Sequence, residues 1–459
     1  MTTATESYVY RELDRSKREI RVLEIQGLLA ANTSVIQCHL HNIDLDDSPP
    51  QFSAISYTWG QPGESGTLEV DGRRLSVSKN AWEVLDAMRS RRGTLFWIDT
   101  VCIDQSSIAE RNHQVSMMRD IYSSAKRVYA WLGTGTEQSL YAMEVLQNGD
   151  FPNSGAGTAE LQSFKDVLKH SSENAESYWD VAAAMAAFED ASRHSNYRNP
   201  LLSKLLKAVE TLYKVFKFRE SIFKTNDALT KAYSGCLERF AYLQLGLQQI
   251  NSNPYWERLW IVQEIVLAKE VLVVMGEQEV SWQHMRQLSV SKNNIEIHFW
   301  TLRRRYSRNQ TRVSTKYGSS AIPLSSVMEC RDRYQEASPG DQKISLKTLL
   351  ELLQEQESTN GRDMVYGLLG LSEQQITIDY AKDPSRILLD VLHACIISGA
   401  FDDNDDIARF STVVAKSLGI RLGSGLAWRL SKFVSSRPLR LLHLSKFAGF
   451  IVLSTRRFF

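Results

Sequence analysis

Two stretches far apart in the chain carry side chains that could do chemistry together. Trp97-Ile98-Asp99-Thr100-Val101-Cys102-Ile103-Asp104-Gln105 reads as a buried strand that ends abruptly in polar groups, and Asn253-Pro254-Tyr255-Trp256-Glu257-Arg258-Leu259-Trp260-Ile261-Val262-Gln263-Glu264 reads as an aromatic-rich helix carrying an acid. Open α/β sheets place ligands outside the carboxyl ends of their strands, so Asp99 and Asp104 at a strand end and Glu264 on an incoming helix outline a site. Each aspartate can equally cap the loop that follows it by accepting from backbone N–H groups. Arg111 points from the first turn of the next helix toward the same strand ends, where its planar fork would bind a phosphate or hold Asp104. Glu264 either serves the site, or sits on a helix surface, or pairs with nearby Arg258 or Lys269.

Other candidates carry less. Cys102, between Val101 and Ile103, has the setting of a small core residue rather than a nucleophile. Glu110 closes a Ser107-x-x-Glu110 capping box. Gly60 to Gly63 fits neither glycine-rich phosphate fingerprint. The five cysteines are scattered and never form Cys-x-x-Cys, so neither a zinc site nor a disulfide framework is expected, and no metal set emerges. With 54 Lys+Arg against 53 Asp+Glu the net charge is +1, which argues against nucleic acid as a partner. The start of the chain shows no basic segment followed by an apolar run, and no stretch approaches the roughly 20 apolar residues of a spanning helix. A soluble, cytoplasmic protein is expected.

The elements that must position these residues follow from periodicity. Ile20–Ile25 and Val35–Leu40 read as an N-terminal hairpin, Phe52–Thr58 as a strand broken at Trp59-Gly60, and Leu68–Val77 as a second hairpin turning at Asp71-Gly72. Asn80 is the expected N-cap of a helix with Ala81, Val84, Leu85 and Met88 on one face, ending near Gly93. Strand Leu95–Ile98 precedes one helix from Ser107 with Val115, Met118, Tyr122 and Ala125 inward, and strand Arg127–Leu132 follows. Two successive βα units imply parallel strands and a doubly wound α/β sheet. The pattern then fails over 134–252, which reads as a mostly helical insertion with an apolar stripe at Leu202–Phe216. It resumes with the Glu264 helix and strand Val271–Met275.

Six blocks in order resemble the fungal heterokaryon-incompatibility (HET) domain family: Ala54-Ile55-Ser56-Tyr57-Thr58-Trp59-Gly60, Trp97 to Gln105, Glu110-Arg111-Asn112-His113-Gln114-Val115 with Met118 and Ile121-Tyr122, Val128 to Gly133, Tyr255 to Glu264, and Arg362 to Leu371. The resemblance implies an inducer of regulated cell death in non-self recognition, acting as an intracellular signalling and interaction module. Its partners would be proteins of an incompatibility system, with homo-oligomer formation a further expectation. The family is distantly similar to TIR domains, which implies a TIR/flavodoxin-like parallel sheet with helices on both faces. By that analogy Glu264 takes the place of a glutamate that cleaves NAD, and the alternative function is an NAD glycohydrolase: Glu264 catalytic, Tyr57 or Trp59 stacking a base, Arg111 on phosphate, NAD as substrate and no resident cofactor. Against this, the aromatic excess at Trp59, Trp97, Trp131, Trp256 and Trp260 is what a core also needs.

The expected divisions are an N-terminal hairpin extension over 1–49, the HET domain over 50–280, a mostly helical region over 281–400 and a basic tail over 401–459. In the helical region Leu346, Leu349, Leu350 and Leu353 form one stripe, and Asp383-Pro384 opens a helix that stops at Gly399. The Asp363–Leu371 block is assigned no chemistry. From Ile407 to Phe459 there are ten Lys or Arg and no Asp or Glu. This tail either lies on an anionic membrane face or is a poorly ordered gene end, and the second reading is preferred.

Overall fold

The computed structural model describes residues 6–26, 35–47, 51–60, 65–91, 93–148, 242–243, 245–286, 323–337, 342–374 and 376–420. The expected Leu202–Phe216 stripe and the chain beyond 420 lie outside these. The protein is α/β and divides into two compact units, Met1–Ala130 with Asn253–Val271 and Ala321–Phe459, and Trp131–Ser252 with Leu272–Ser320.

The first unit contains β1 (Glu19–Ile25), β2 (Ile36–Asp44), β3 (Phe52–Ser56), β4 (Ser65–Val70), β5 (Arg73–Ser78), β6 (Leu95–Trp97) and β7 (Val128–Trp131), in the spatial order β5-β4-β2-β1-β6-β3-β7. β3 is parallel to β6 and β7. It is buried along its whole length, as a strand covered on both faces must be. The expectation of a parallel sheet holds for these strands and for the β2–β4 pair, whereas β1 is antiparallel to both β2 and β6 and β4 is antiparallel to β5. The sheet is therefore mixed. A two-residue turn joins β4 and β5 antiparallel, and helical crossovers bring β6 and β7 back parallel to β3.

The turn between β4 and β5 has Asp71 at φ 51° and Gly72 at φ 77°, the two left-handed residues that a two-residue hairpin demands. Helix α1 (Lys79–Ala87) buries Ala81, Val84 and Leu85 as expected, but its N-cap is Ser78, whose Oγ accepts from Ala81 N. Asn80 is drawn away to donate to Thr58 O at 2.9 Å. Next come α2 (Asp99–Cys102), α3 (Ile108–Ser116) and α4 (Met118–Ser124). The single helix expected here breaks at Met117, and Val115 is exposed while Glu110 and Gln114 are buried. The inner face of α3 is polar: Gln114 Nε2 donates to Glu19 O at 3.0 Å, and Glu110 meets the buried Arg21.

In the second unit α5 (Glu137–Asn148) packs against a helical stretch over 245–251, where Gly246 lets the backbones touch: a Cβ there would lie 2.0 Å from Gln138 O. The described residues of the expected insertion are thus largely helical.

Helix α6 (Trp260–Val266) belongs to the first unit and carries Glu264. The β8 (Val271–Met275) and β9 (Gln278–Ser281) hairpin and α7 (Trp282–Met285) follow it. The first unit closes with α8 (Pro323–Glu336), α9 (Leu346–Leu352), α10 (Asp363–Tyr366), α11 (Pro384–Ile397) and α12 (Asn404–Ser417). Leu346, Leu349, Leu350 and Leu353 are buried, and Asp383 caps α11 through Ser385 N, both as expected. The start of the expected disordered tail is instead α12, which buries Ile407, Phe410 and Val414 at helical spacing.

Candidate functional site

β3 and β6 end side by side, and the next few residues of each build a polar cluster. Asp99 follows β6 at the start of α2. Its Oδ1 accepts from Thr100 N at 2.7 Å and Thr100 Oγ1 at 3.1 Å, and its Oδ2 accepts from Trp59 Nε1 at 2.7 Å. It therefore caps its own loop and also grips the β3 exit. Burial pushes the Asp99 carboxyl up, against the opposing pull of Trp59 and Arg258. The Tyr57 hydroxyl hydrogen-bonds Thr100 Oγ1, its ring is buried, and burial holds its phenol well above the usual range. Tyr57 therefore packs in the interior, while Trp59 stays 45% exposed.

Glu264 approaches from α6. It is 4% exposed and its Oε2 makes no hydrogen bond. Burial pushes its carboxyl up from 4.5 to about 7, with the Asp99 charge adding to the rise. Arg258 and the nearby hydroxyls of Ser56 and Tyr122 pull the other way and favour the anion. Ser56 Oγ and Tyr255 OH are themselves hydrogen-bonded at 2.5 Å. Of the structural roles open to Glu264, surface placement and a Lys269 pair are not found, while Arg258 does act on it. Lys269 donates to Ser124 O at 3.2 Å, and Arg258, the cation that acts on Glu264, donates to Tyr57 O. A charged group at once buried and short of partners titrates far from its free value.

Asp104 and Arg111 stand apart from this cluster. Asp104 Oδ1 accepts from Ser106 N at 3.0 Å and Ser106 Oγ at 2.6 Å, the loop-capping alternative. Arg111 is exposed on α3, and no ion pair joins it to Asp104 among the described residues. Glu110 corrects the capping box by half. Ser107 Oγ accepts from Glu110 N at 3.3 Å, but the carboxylate turns inward to a buried Arg21 at 2.6 Å and accepts from Asp104 N at 2.7 Å. Cys102 is fully buried with its thiol pushed up to about 12 by burial, the small core residue expected.

Reading the sequence missed Ser56, Tyr122 and Tyr255 as members of the cluster, whereas Arg258 was an expected partner of Glu264 and does act on it. Two signals could have found them: Ser56 interrupts an apolar strand, and Tyr255 lies on the segment that leads into the Glu264 helix. The Arg362–Leu371 block also gains a role, because it holds α6. Gln263 Nε2 donates to Gly367 O, and the Trp260 indole favours the Asp363 anion. Gly370 lies so close that a Cβ would meet the Gln263 amide at 3.1 Å. Arg331 of α8 donates to Ile265 O and Val266 O at the carbonyl end of α6, where a cation is favoured.

Among the described residues no group of three or more His, Cys, Asp or Glu is placed to hold a metal ion, and no helix is long and apolar enough to cross a membrane.

The family model for Heterokaryon incompatibility protein (HET) matches residues 52–264, from the first residue of β3 to Glu264. Heterokaryon incompatibility protein 6, OR allele, of Neurospora crassa is 25% identical over 384 residues, which is 80% of this chain and 49% of that protein. Vegetative incompatibility protein HET-E-1 of Podospora anserina is 32% identical over 88 residues, 18% of this chain and 6% of that protein. The chain thus spans about half the length of the first relative and a small part of the second. No solved structure matches. With the matched span running from the first residue of β3 to the buried acid of α6, this chain carries a HET domain over residues 52–264 and is similar to heterokaryon-incompatibility proteins.

Proposed function

We propose that this protein is an inducer of regulated cell death in fungal non-self recognition, acting in the cytoplasm as a signalling and interaction module. Its partners on this reading are proteins of an incompatibility system, including further copies of itself. The observation that carries the proposal is the HET match over 52–264, together with the similarity to two incompatibility proteins. The strand-end cluster fits a module that works by conformation: Glu264 is 4% exposed, and its neighbours Ser56, Tyr122 and Tyr255 are buried. NAD cleavage with Glu264 as the catalytic acid is not carried forward. That chemistry needs a carboxylate open to a ribose, and this one is enclosed.

The test is to switch on the full chain in a yeast host and follow growth and cellular NAD beside an equally abundant Glu264→Gln variant. Growth arrest at unchanged NAD is expected. A fall in NAD with the parent that vanishes in the variant would overturn the module reading in favour of an enzyme. Undiminished growth would remove the cell-death role.

A further inference from the structure

The loop that leaves β3, Tyr57 to Gly60, is held by Asn80 on Thr58 O and by Thr100 on the Tyr57 hydroxyl, and two further ties are to charges that act on Glu264. Arg258 donates to Tyr57 O, and Asp99 Oδ2 accepts from the Trp59 indole at 2.7 Å. The charged core of the cluster is therefore two carboxyls, Asp99 and Glu264, and one guanidinium. The elements packed around them add mainly neutral groups. β3 and its exit bring Ser56 and Tyr57, α4 brings Tyr122, and the segment before α6 brings Tyr255. Glu257 on that segment is opposed by Glu357 rather than by this cluster. Arg331 of α8 is engaged at the carbonyl end of α6, and Asp363 lies beside Trp260.

Asp99 and Arg258 are half-buried while Glu264 is buried, so of the two carboxyls Glu264 bears the larger desolvation cost of a charge. Asp99 accepts three hydrogen bonds spread over both oxygens, whereas the Glu264 carboxyl meets only the Ser56 and Tyr122 hydroxyls and its Oε2 accepts none. The proton therefore belongs on Glu264.

We propose that Glu264 is a proton-operated latch on the β3 exit loop. With the proton on, Arg258 and Asp99 keep their grips on Tyr57 and Trp59. When it leaves, the new carboxylate draws Arg258 from the Tyr57 carbonyl and repels Asp99, so both ties weaken together and Trp59, already 45% exposed, is released. Burial, which pushes the Glu264 carboxyl up to about 7, places the change near neutral pH. The latch is a property of the fold and does not depend on the cell-death reading.

The experiment uses the full chain labelled with 5-fluorotryptophan, with the Trp59 fluorine resonance assigned by its loss in Trp59→Phe. From about pH 5 to about pH 9 the resonance should titrate with a midpoint near the Glu264 value. In Glu264→Gln it should hold its low-pH position throughout. Tyr122→Phe, which removes a hydroxyl that favours the anion and touches neither tie, should raise the midpoint by about 0.7 pH unit. A Trp59 resonance that does not move in the parent overturns the latch, as does the same titration in Glu264→Gln or an unmoved midpoint in Tyr122→Phe.

Discussion

The first unit buries two glutamates a short distance from strand ends, and they differ in how completely they are bonded. Glu110 meets Arg21 through both oxygens, at 2.6 and 3.1 Å, and also accepts from Asp104 N. Arg21 in turn reaches Cys102 O at 3.1 Å and the Arg11 carbonyl, tying the chain before β1 to the loop after β6. Glu264 is as deeply buried, but its cation is engaged elsewhere and one of its oxygens has no partner. Burial alone therefore does not mark an acid that will change its proton. The hydrogen bonds that remain unmade mark it, because a satisfied carboxylate keeps its charge and an unsatisfied one sheds it.

That contrast can be broken by removing one member of the satisfied pair. Arg21→Met leaves the buried Glu110 carboxyl without its cation, and should cost about 3–5 kcal/mol of stability in urea unfolding. The double change Arg21→Met with Glu110→Met should recover most of that loss. A cost for Arg21→Met below about 1 kcal/mol would mean that the pair is not the structural bond described here.

The unsatisfied acid should reveal itself through pH. The Glu264 carboxyl is raised in the folded chain, so the fold holds its proton more tightly than the unfolded chain does. Its stabilising contribution is present in full below about 4.5 and is lost as pH rises through about 7. The loss over that window is roughly 3 kcal/mol. Unfolding followed from acid to neutral pH should show this slope in the parent and a flatter one in Glu264→Gln. Equal slopes would place Glu264 among the satisfied acids.

The smallest effect sharpens the other side. Ser107→Ala removes the side-chain cap of α3 without touching the Arg21–Glu110 contact, and should cost only about 1 kcal/mol. A thermal melt that falls as far as that of Arg21→Met would show that the cap, not the ion pair, holds Glu110 in place.

Much of this architecture was legible beforehand. The Asp71-Gly72 hairpin, the βα order through β7, the leucine stripe of α9 and the Asp383-Pro384 start of α11 all follow from residues within a few positions of one another. The site was only partly legible. Asp99 and Glu264 do share one cluster, with Tyr57 and Trp59 beside them, while Asp104 serves its own loop and Arg111 faces solvent. The displaced α1 cap and the inward turn of Glu110 share a pattern. In each case a distant partner takes the side chain from its local role: Thr58 O for Asn80, and Arg21 for Glu110.

From sequence alone came the α/β class, the strand ends and the acid at the close of the Tyr255–Glu264 segment, because turns, caps and apolar periodicity are local properties of the chain. Only the tertiary structure decided which charges meet. Arg21 and Glu110 are 89 positions apart, and Ser56 and Tyr255 are 199. Such pairs leave no local pattern, and their energies depend on the water that packing excludes around them.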